Sequence, residues 1–307
     1  MTAIVTPVDK PSAELIQRMV GDMKIRHMSP ATIKCYSRHL TKFAQFLAKP
    51  LNEATTEDIR LFQLHLIESR KLAWSSFNQA VCSLRFFYRT TLPQPWGVTM
   101  IPYGKKRTYL PTVLCRQEVE ALLKCTHNRK HRTLLMVLYA TGLRISEATN
   151  LQVSDIDSQR MLLTVTQGKG NKMRYVPFSP RLLEALRQYW HDFRPKTLLF
   201  PGQSSNWPLG QGSIQEVIKV SARMAKITKV VTPHTLRHSY ATALLEAGVD
   251  LLTISRLLGH ASFTTTMIYL HVRQPRLESA PSPLDWLPVS QLPTWQQQSQ
   301  TQNQPPS

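Results

Sequence analysis

An amphipathic helical period runs from about residue 12 to residue 91 and then stops for some twenty residues, which limits the chain to two separately packed parts. Ser29 and Pro30 form a cap and first-turn pair, after which Ile33, Tyr36, Leu40, Phe43 and Leu47 recur at steps of three and four. Lys34, Arg38 and Lys42 lie outside that stripe. Thr56, Glu57 and Asp58 open another helix through Phe62 and Leu66, and Trp74, Phe77, Val81, Leu84 and Phe87 give a third stripe. With residues 12–27 this makes four helices. Residues 92–112 then hold four prolines, two glycines and no period, the composition of a linker. The expected organisation is an all-helical domain over 12–91, a basic linker over 92–112 and a second domain over 113–273.

The second domain opens with helical patterns at about 116–126, 131–141 and 144–151. The period then changes to that of strands in Met161–Thr166 and Met173–Pro177, joined by Gln167-Gly168-Lys169-Gly170-Asn171-Lys172, a hairpin-turn composition. Helices return at about 180–191, 212–226, 234–246, 250–258 and 262–271. The fold class is therefore mainly α with a small antiparallel β-sheet, and 307 residues suffice for two cores. Residues 274–307, with seven prolines and eight glutamines, read as a largely disordered tail.

Lys and Arg number 38 against 19 Asp and Glu, a net charge of +19 that is spread over both domains and favours a polyanionic partner. By itself such an excess also fits a ribosomal or solubilising surface. Lys24, Arg26, Lys34, Arg70, Lys71, Arg85 and Arg89 fall on outer faces of the first four helices, where they can line phosphates or simply be solvated. The run Lys105-Lys106-Arg107 is placed to follow a nucleic-acid backbone passing between the domains. Cys35, Cys82, Cys115 and Cys125 form no CxxC pair and fit reduced thiols in a cytoplasmic protein. No stretch approaches eighteen apolar residues, and the N-terminus lacks a signal-peptide pattern.

Two distant basic fragments carry the chemistry: Gly-Leu-Arg-Ile-Ser-Glu at 142–147 and His-Thr-Leu-Arg-His at 234–238, the latter followed by Leu-Gly-His at 258–260 and Tyr269. They supply Arg144, Arg237, His234, His260 and a phenol. Guanidiniums grip phosphate oxygens two at a time, and imidazoles exchange protons near neutrality. In-line attack on a phosphodiester builds charge on the non-bridging oxygens, so each preorganised donor is worth roughly 2–4 kcal/mol. His234 lies one turn before Arg237, on a helix whose start near Pro233 would aim N–H groups at an anion. His238 invites a zinc reading with His234, but the HExxH glutamate and a third ligand at a recognisable spacing are absent from the sequence. Gly259 reads as a helix C-cap that projects His260. Tyr269 needs nearby cations and a proton acceptor, because a phenol with pKa near 10 is a poor nucleophile at neutral pH.

The order and spacing of these residues closely resemble the signature of the tyrosine recombinases, the phage-integrase and Xer-like family, over about residues 12–272. The resemblance implies an N-terminal core-binding domain, a catalytic domain, and a catalytic set of Arg144, Lys169, His234, Arg237, His260 and Tyr269, with Tyr269 as nucleophile. It assigns Lys169, between the two glycines of the turn, to protonation of the 5′ oxygen that leaves the scissile phosphate, with Lys172 as the nearby competitor, and it gives His238 no catalytic role. It implies cleavage and rejoining of double-stranded DNA through a 3′-phosphotyrosine and a Holliday junction, without metal, ATP or other cofactor. Two protomers on each of two sites would form a homotetramer. Integration or transposition of a bacterial mobile element is the expected setting, and the few residues before residue 12 suit a simple recombinase without an arm-binding domain. In the family, a segment after the tyrosine often docks on the neighbouring subunit, and Leu284–Pro288 is the candidate here. A type IB topoisomerase activity and a catalytically idle DNA-binding protein are the alternatives.

Overall fold

The computed structural model describes residues 9–94, 96, 101–104, 110–166, 173–260 and 262–271, the side chains of Leu270 and His271 excepted. The chain divides into two compact units, Met1–Tyr109 and Leu110–Ser307.

The first unit is built from α1 (Lys10–Ile25), α2 (Pro30–Leu47), α3 (Thr56–Glu68) and α4 (Trp74–Phe86), the last running into a π-helical turn, Phe87–Thr91. Asp9, Ser29 and Thr55 cap α1, α2 and α3 through side-chain oxygens, satisfying N–H groups that a helix start leaves without partners. The apolar stripes converge on one core that includes Met19, Met23, Leu40, Phe43, Phe62, Val81 and Phe87.

Part of the expected linker belongs to this unit. Ile101 is fully buried in the same core. The carbonyls of Ile101, Pro102 and Gly104 accept hydrogen bonds from Arg85, Gln63 and the Trp74 indole at 2.6, 3.2 and 2.9 Å. A proline-rich segment has few backbone donors with which to build a ladder, so side chains of the helices satisfy its carbonyls instead.

The second unit contains α5 (Arg116–Lys124), α6 (Arg129–Thr141), α7 (Ile145–Thr149), a three-stranded sheet, and then α8 (Pro180–Phe193), α9 (Gln211–Met224), α10 (Pro233–Glu246), α11 (Leu251–Leu258) and α12 (Thr264–Met267), which continues as a 3-10 turn through Ile268–His271. The sheet is antiparallel in the order β1 (Ile156–Asp157), β2 (Leu162–Val165), β3 (Arg174–Pro177). Only β2 and β3 have the length that an alternating pattern needs, so the two-residue β1 leaves no periodic trace in the sequence. Val165 pairs with Arg174, and residues 166–173 connect the two strands.

Leu134, Leu138, Leu143, Leu163, Val176, Leu186, Phe200 and Leu236 belong to the main core of this unit. A smaller cluster of Tyr240, Ala241, Leu245, Ile254, Leu258 and Tyr269 lies where α10, α11 and the final 3-10 turn meet. Helix α10 is buried on most of its sides, including Leu236, Arg237, Tyr240, Ala241 and Leu245, and therefore carries polar groups into the interior.

Candidate active site

The two arginines of the sequence motifs come together because helix ends hold them. Helix α6 closes on Gly142, whose φ of +62° is a left-handed cap conformation, and Arg144 follows as the N-cap of α7. Arg237, on α10, donates from Nη1 to the Gly142 carbonyl at 2.6 Å and from Nη2 to the Leu258 carbonyl at 2.7 Å. Arg144 donates from Nη2 to the Gly259 carbonyl at 3.0 Å. The last carbonyls of a helix have no donor within it, so the C-terminal ends of α6 and α11 form a collar of acceptors for guanidinium groups. Burial first, then the neighbouring Arg144, pushes Arg237 down to about 10, which leaves it charged at neutral pH.

Glu147 fixes the other side of Arg144. Its side chain is 1% exposed and accepts from the Arg144 backbone N–H at 2.9 Å and from Arg144 Nη1 at 2.7 Å. Arg174, at the start of β3, meets the same carboxylate through Nη1 and Nη2 at 3.1 and 2.7 Å and donates from Nε to the Leu257 carbonyl at 2.9 Å. Burial pushes the Glu147 carboxyl up, but the bonds from Arg174 and Arg144 outweigh it and hold the group below its ordinary range. Two guanidiniums share this carboxylate and Arg237 adds a third charge held by carbonyls alone, so the cluster keeps a net positive charge suited to a phosphate.

The imidazoles and the phenol complete the cluster. His260 follows Gly259, which caps α11 at φ +62°, and His260 Nδ1 lies 2.8 Å from the Thr266 hydroxyl. With that hydroxyl donating, the ring carries its proton on Nε2, free to donate to an incoming oxygen. Burial, then Arg237 and Arg144, pushes His260 down to about 4. His234, exposed at the start of α10, makes no hydrogen bond through its ring to any described residue, and its partial burial, then Arg237 and Arg144, lowers its pKa. Both rings are thus neutral donors or acceptors at neutral pH. Tyr269 is 1% exposed, and burial raises its pKa while Arg237 opposes that rise.

Of the expected catalytic set, Arg144, His234, Arg237, His260 and Tyr269 lie in one neighbourhood linked by these bonds and electrostatic interactions. Lys169 and Lys172 lie outside the described residues, as do Lys105, Lys106 and Arg107 and the segment Leu284–Pro288. Lys24 and Lys34 are exposed and line one open hollow of the first unit together with His27 and Pro30. Arg26 folds back onto the Asp22 carbonyl at 3.0 Å. Arg85 departs from its expected place on an outer, phosphate-facing surface: it is half-buried, bonded to the Ile101 carbonyl, with its guanidinium 4.4 Å from the Tyr103 ring centre. The Ile101–Gly104 segment covers that helix face.

Three features were not read from the sequence. Arg174 looks there like an ordinary charged strand residue, and only the packing of β3 beside α11 turns it onto Glu147. His238, set aside above, has Nδ1 2.9 Å from the Tyr269 hydroxyl. An open groove of about 900 Å³ beside His234 is lined by Gln211, Gln215, Lys219 and Arg223 of α9 and by Thr232.

Comparisons with known proteins identify the family. Residues 112–276 match the model of the phage integrase family, and residues 15–98 match that of the phage integrase N-terminal SAM-like domain. The y4qK protein of Sinorhizobium fredii, whose name places it with integrases and recombinases, is 43% identical over 89% of this chain and 89% of its own length. Tyrosine recombinase XerC of Anoxybacillus flavithermus is 32% identical over 82% of this chain and 90% of its own. A lambda integrase dimer bound to a core site shares the fold at a TM-score of 0.71, with 18% identity over 88% of this chain and 98% of that one. The chain belongs to the phage integrase family of tyrosine recombinases.

Proposed function

We propose that this chain cuts and rejoins double-stranded DNA at specific sites through a 3′-phosphotyrosine on Tyr269, exchanging strands by way of a Holliday junction in the service of a bacterial mobile element. The observation that carries this reading is the grouping of a phenol with Arg144, Arg237 and two neutral imidazoles, drawn from segments set far apart in the chain. Arg144 and Arg237 are pinned by carbonyls and Glu147 on one side. Each has guanidinium N–H groups left over, enough to hold the two non-bridging oxygens as charge builds there.

His260 donates to the same phosphate, and His234 hydrogen-bonds or exchanges a proton at its edge. Lys169, in the β2–β3 connection, is assigned to protonation of the departing 5′ oxygen, with Lys172 second. Attack of the Tyr269 oxygen forms the phosphotyrosine and releases a 5′ hydroxyl, so the phosphodiester bond energy is kept for rejoining and the reaction is written without ATP or metal. The α9 groove, with Lys219 and Arg223, supplies further phosphate contacts, and the first unit acts as a core-binding domain through Lys24 and Lys34. A dimer on each site and a tetramer on two sites would perform the exchange in the bacterial cytoplasm. The names of the relatives, integrase/recombinase and XerC, support recombination as the outcome.

Suicide substrates nicked near the cut trap such an adduct, and sequencing the attached DNA identifies the site. The expected result is a covalent complex with the natural chain and none with Tyr269→Phe, which still retards DNA. Adducts that persist in Tyr269→Phe would place the nucleophile elsewhere.

A further inference from the structure

The Tyr269 hydroxyl is nearly sealed from solvent, and among the described residues its one hydrogen-bond partner is Nδ1 of His238 at 2.9 Å. None of the other bases nearby bonds the phenol. Glu147 is saturated by Arg144 and Arg174. The Nδ1 of His260 is taken up with Thr266. The ring of His234 makes no hydrogen bond to the Tyr269 hydroxyl or to any other described residue. Arg237, whose charge is felt at the phenol, has no lone pair to offer.

Helix α10 makes the contact possible. His238 directly follows Arg237, so the residue that grips phosphate and the residue that meets the phenol are adjacent on one buried, rigid element. Tyr269 comes from the 3-10 turn at the other side of the small apolar cluster, where Tyr240, Ile254 and Leu258 fix its ring. The two rings approach at 5.6 Å between centres and 57° between planes, a tilt that leaves the bond between Nδ1 and the hydroxyl unobstructed by stacking.

We propose that His238 is the general base of the cleavage step, a catalytic residue that accepts the Tyr269 proton on Nδ1 as the phenol attacks phosphorus. This rests on Tyr269 being the nucleophile. The Oη–P bond forms, the bond from phosphorus to the 5′ oxygen breaks, the phenol proton passes to His238, and the leaving oxygen takes a proton from a separate donor, assigned above to Lys169. Rejoining runs the steps backward: the 5′ hydroxyl attacks, the Tyr269 oxygen leaves, and His238 returns the proton. In the free chain, burial first, then the neighbouring His234 and Arg237, lowers the His238 pKa and keeps the ring neutral, so its lone pair is available. A bound phosphate anion offsets that positive surrounding and makes the ring a better acceptor once DNA is in place.

The test uses the full chain and duplexes carrying the site recovered from trapped wild-type adducts. One duplex has the natural phosphodiester, and the other has sulfur in place of the 5′ bridging oxygen, whose departure needs no proton. His238→Asn keeps an amide near the position of Nδ1 and can hold the phenol, but it cannot take a proton. The expected result is single-turnover adduct formation slowed by about 10²- to 10⁴-fold on both duplexes, with DNA retardation and thermal midpoint near wild type. Lys169→Ala should recover on the sulfur duplex only. His238→Gln provides the same comparison if the asparagine variant fails to fold.

Cleavage by His238→Asn within about three-fold of wild type, or its recovery on the sulfur duplex, would overturn the assignment of the base. Absence of any wild-type adduct, or adducts formed by Tyr269→Phe, would instead overturn Tyr269 as nucleophile.

Discussion

A carboxylate that is almost fully buried and shared by two arginines leaves little freedom to any of the three. Arg174→Ala removes two of the bonds to Glu147 and one to the Leu257 carbonyl. The cost expected is about 3 kcal/mol, because the remaining charge is left partly uncompensated in the interior. Urea titration of the second unit measures it, and a loss below about 0.5 kcal/mol would place the pair among weak surface contacts. Acid provides a second check. His238 and His260 fall from an ordinary 6.5 to about 4 in the folded chain. The unfolded chain therefore binds more protons between about pH 6.5 and about pH 4, and stability falls across that window as pH is lowered. Thermal midpoints recorded against pH should show this fall, and His260→Asn should flatten it. The residues with the most direct chemistry, Arg144, Arg237, His260 and Tyr269, were visible as motifs. Arg174 was not, and His238, though inside the second motif, carried no role there, since each acquires its meaning from a partner 27 or 31 positions away.

At the scale of elements, the helices were legible because their cause is local. A cap at Ser29 and stripes at steps of three and four need no knowledge of the rest of the chain. The segment after α4 was read as linker throughout, because prolines erase periodicity. They do not prevent burial, as Ile101 and the three carbonyls held by Arg85, Gln63 and Trp74 show. Glycine caps give a graded prediction. Gly142 and Gly248 both have positive φ, so an alanine costs about 1–2 kcal/mol in backbone conformation at either. At Gly248 an added methyl group meets nothing, whereas at Gly142 it would collide with the Tyr240 ring and the Leu258 side chain. Gly142→Ala should thus lower the unfolding midpoint clearly more than Gly248→Ala, and equal losses would mean that the ring yields freely.

For the whole molecule, charge and division into two cores matter most. Each unit has its own buried cluster, which predicts that residues 1–109 and 110–307 expressed separately each unfold cooperatively in denaturant. A gradual loss of signal from either piece would show that its core is not self-sufficient. A net charge of +19 puts much of the DNA affinity into counterion release. If six to ten phosphates are neutralised, affinity should fall about 10³- to 10⁵-fold between 50 and 200 mM salt, which titrations of duplex binding measure directly.

The carbonyl collar around the arginines also bears on which genetic changes the site tolerates. Every amino acid carries the same backbone oxygen, so replacing a side chain at a helix end leaves the acceptor in place wherever the new residue can keep the backbone conformation. Loss of a single residue within α6 or α11 is different. It turns the end of the helix by about 100° and moves the acceptors of Arg237, Arg144 and Arg174 out of reach. Lineages of this chain should therefore vary in letters at these helix ends far more readily than in length.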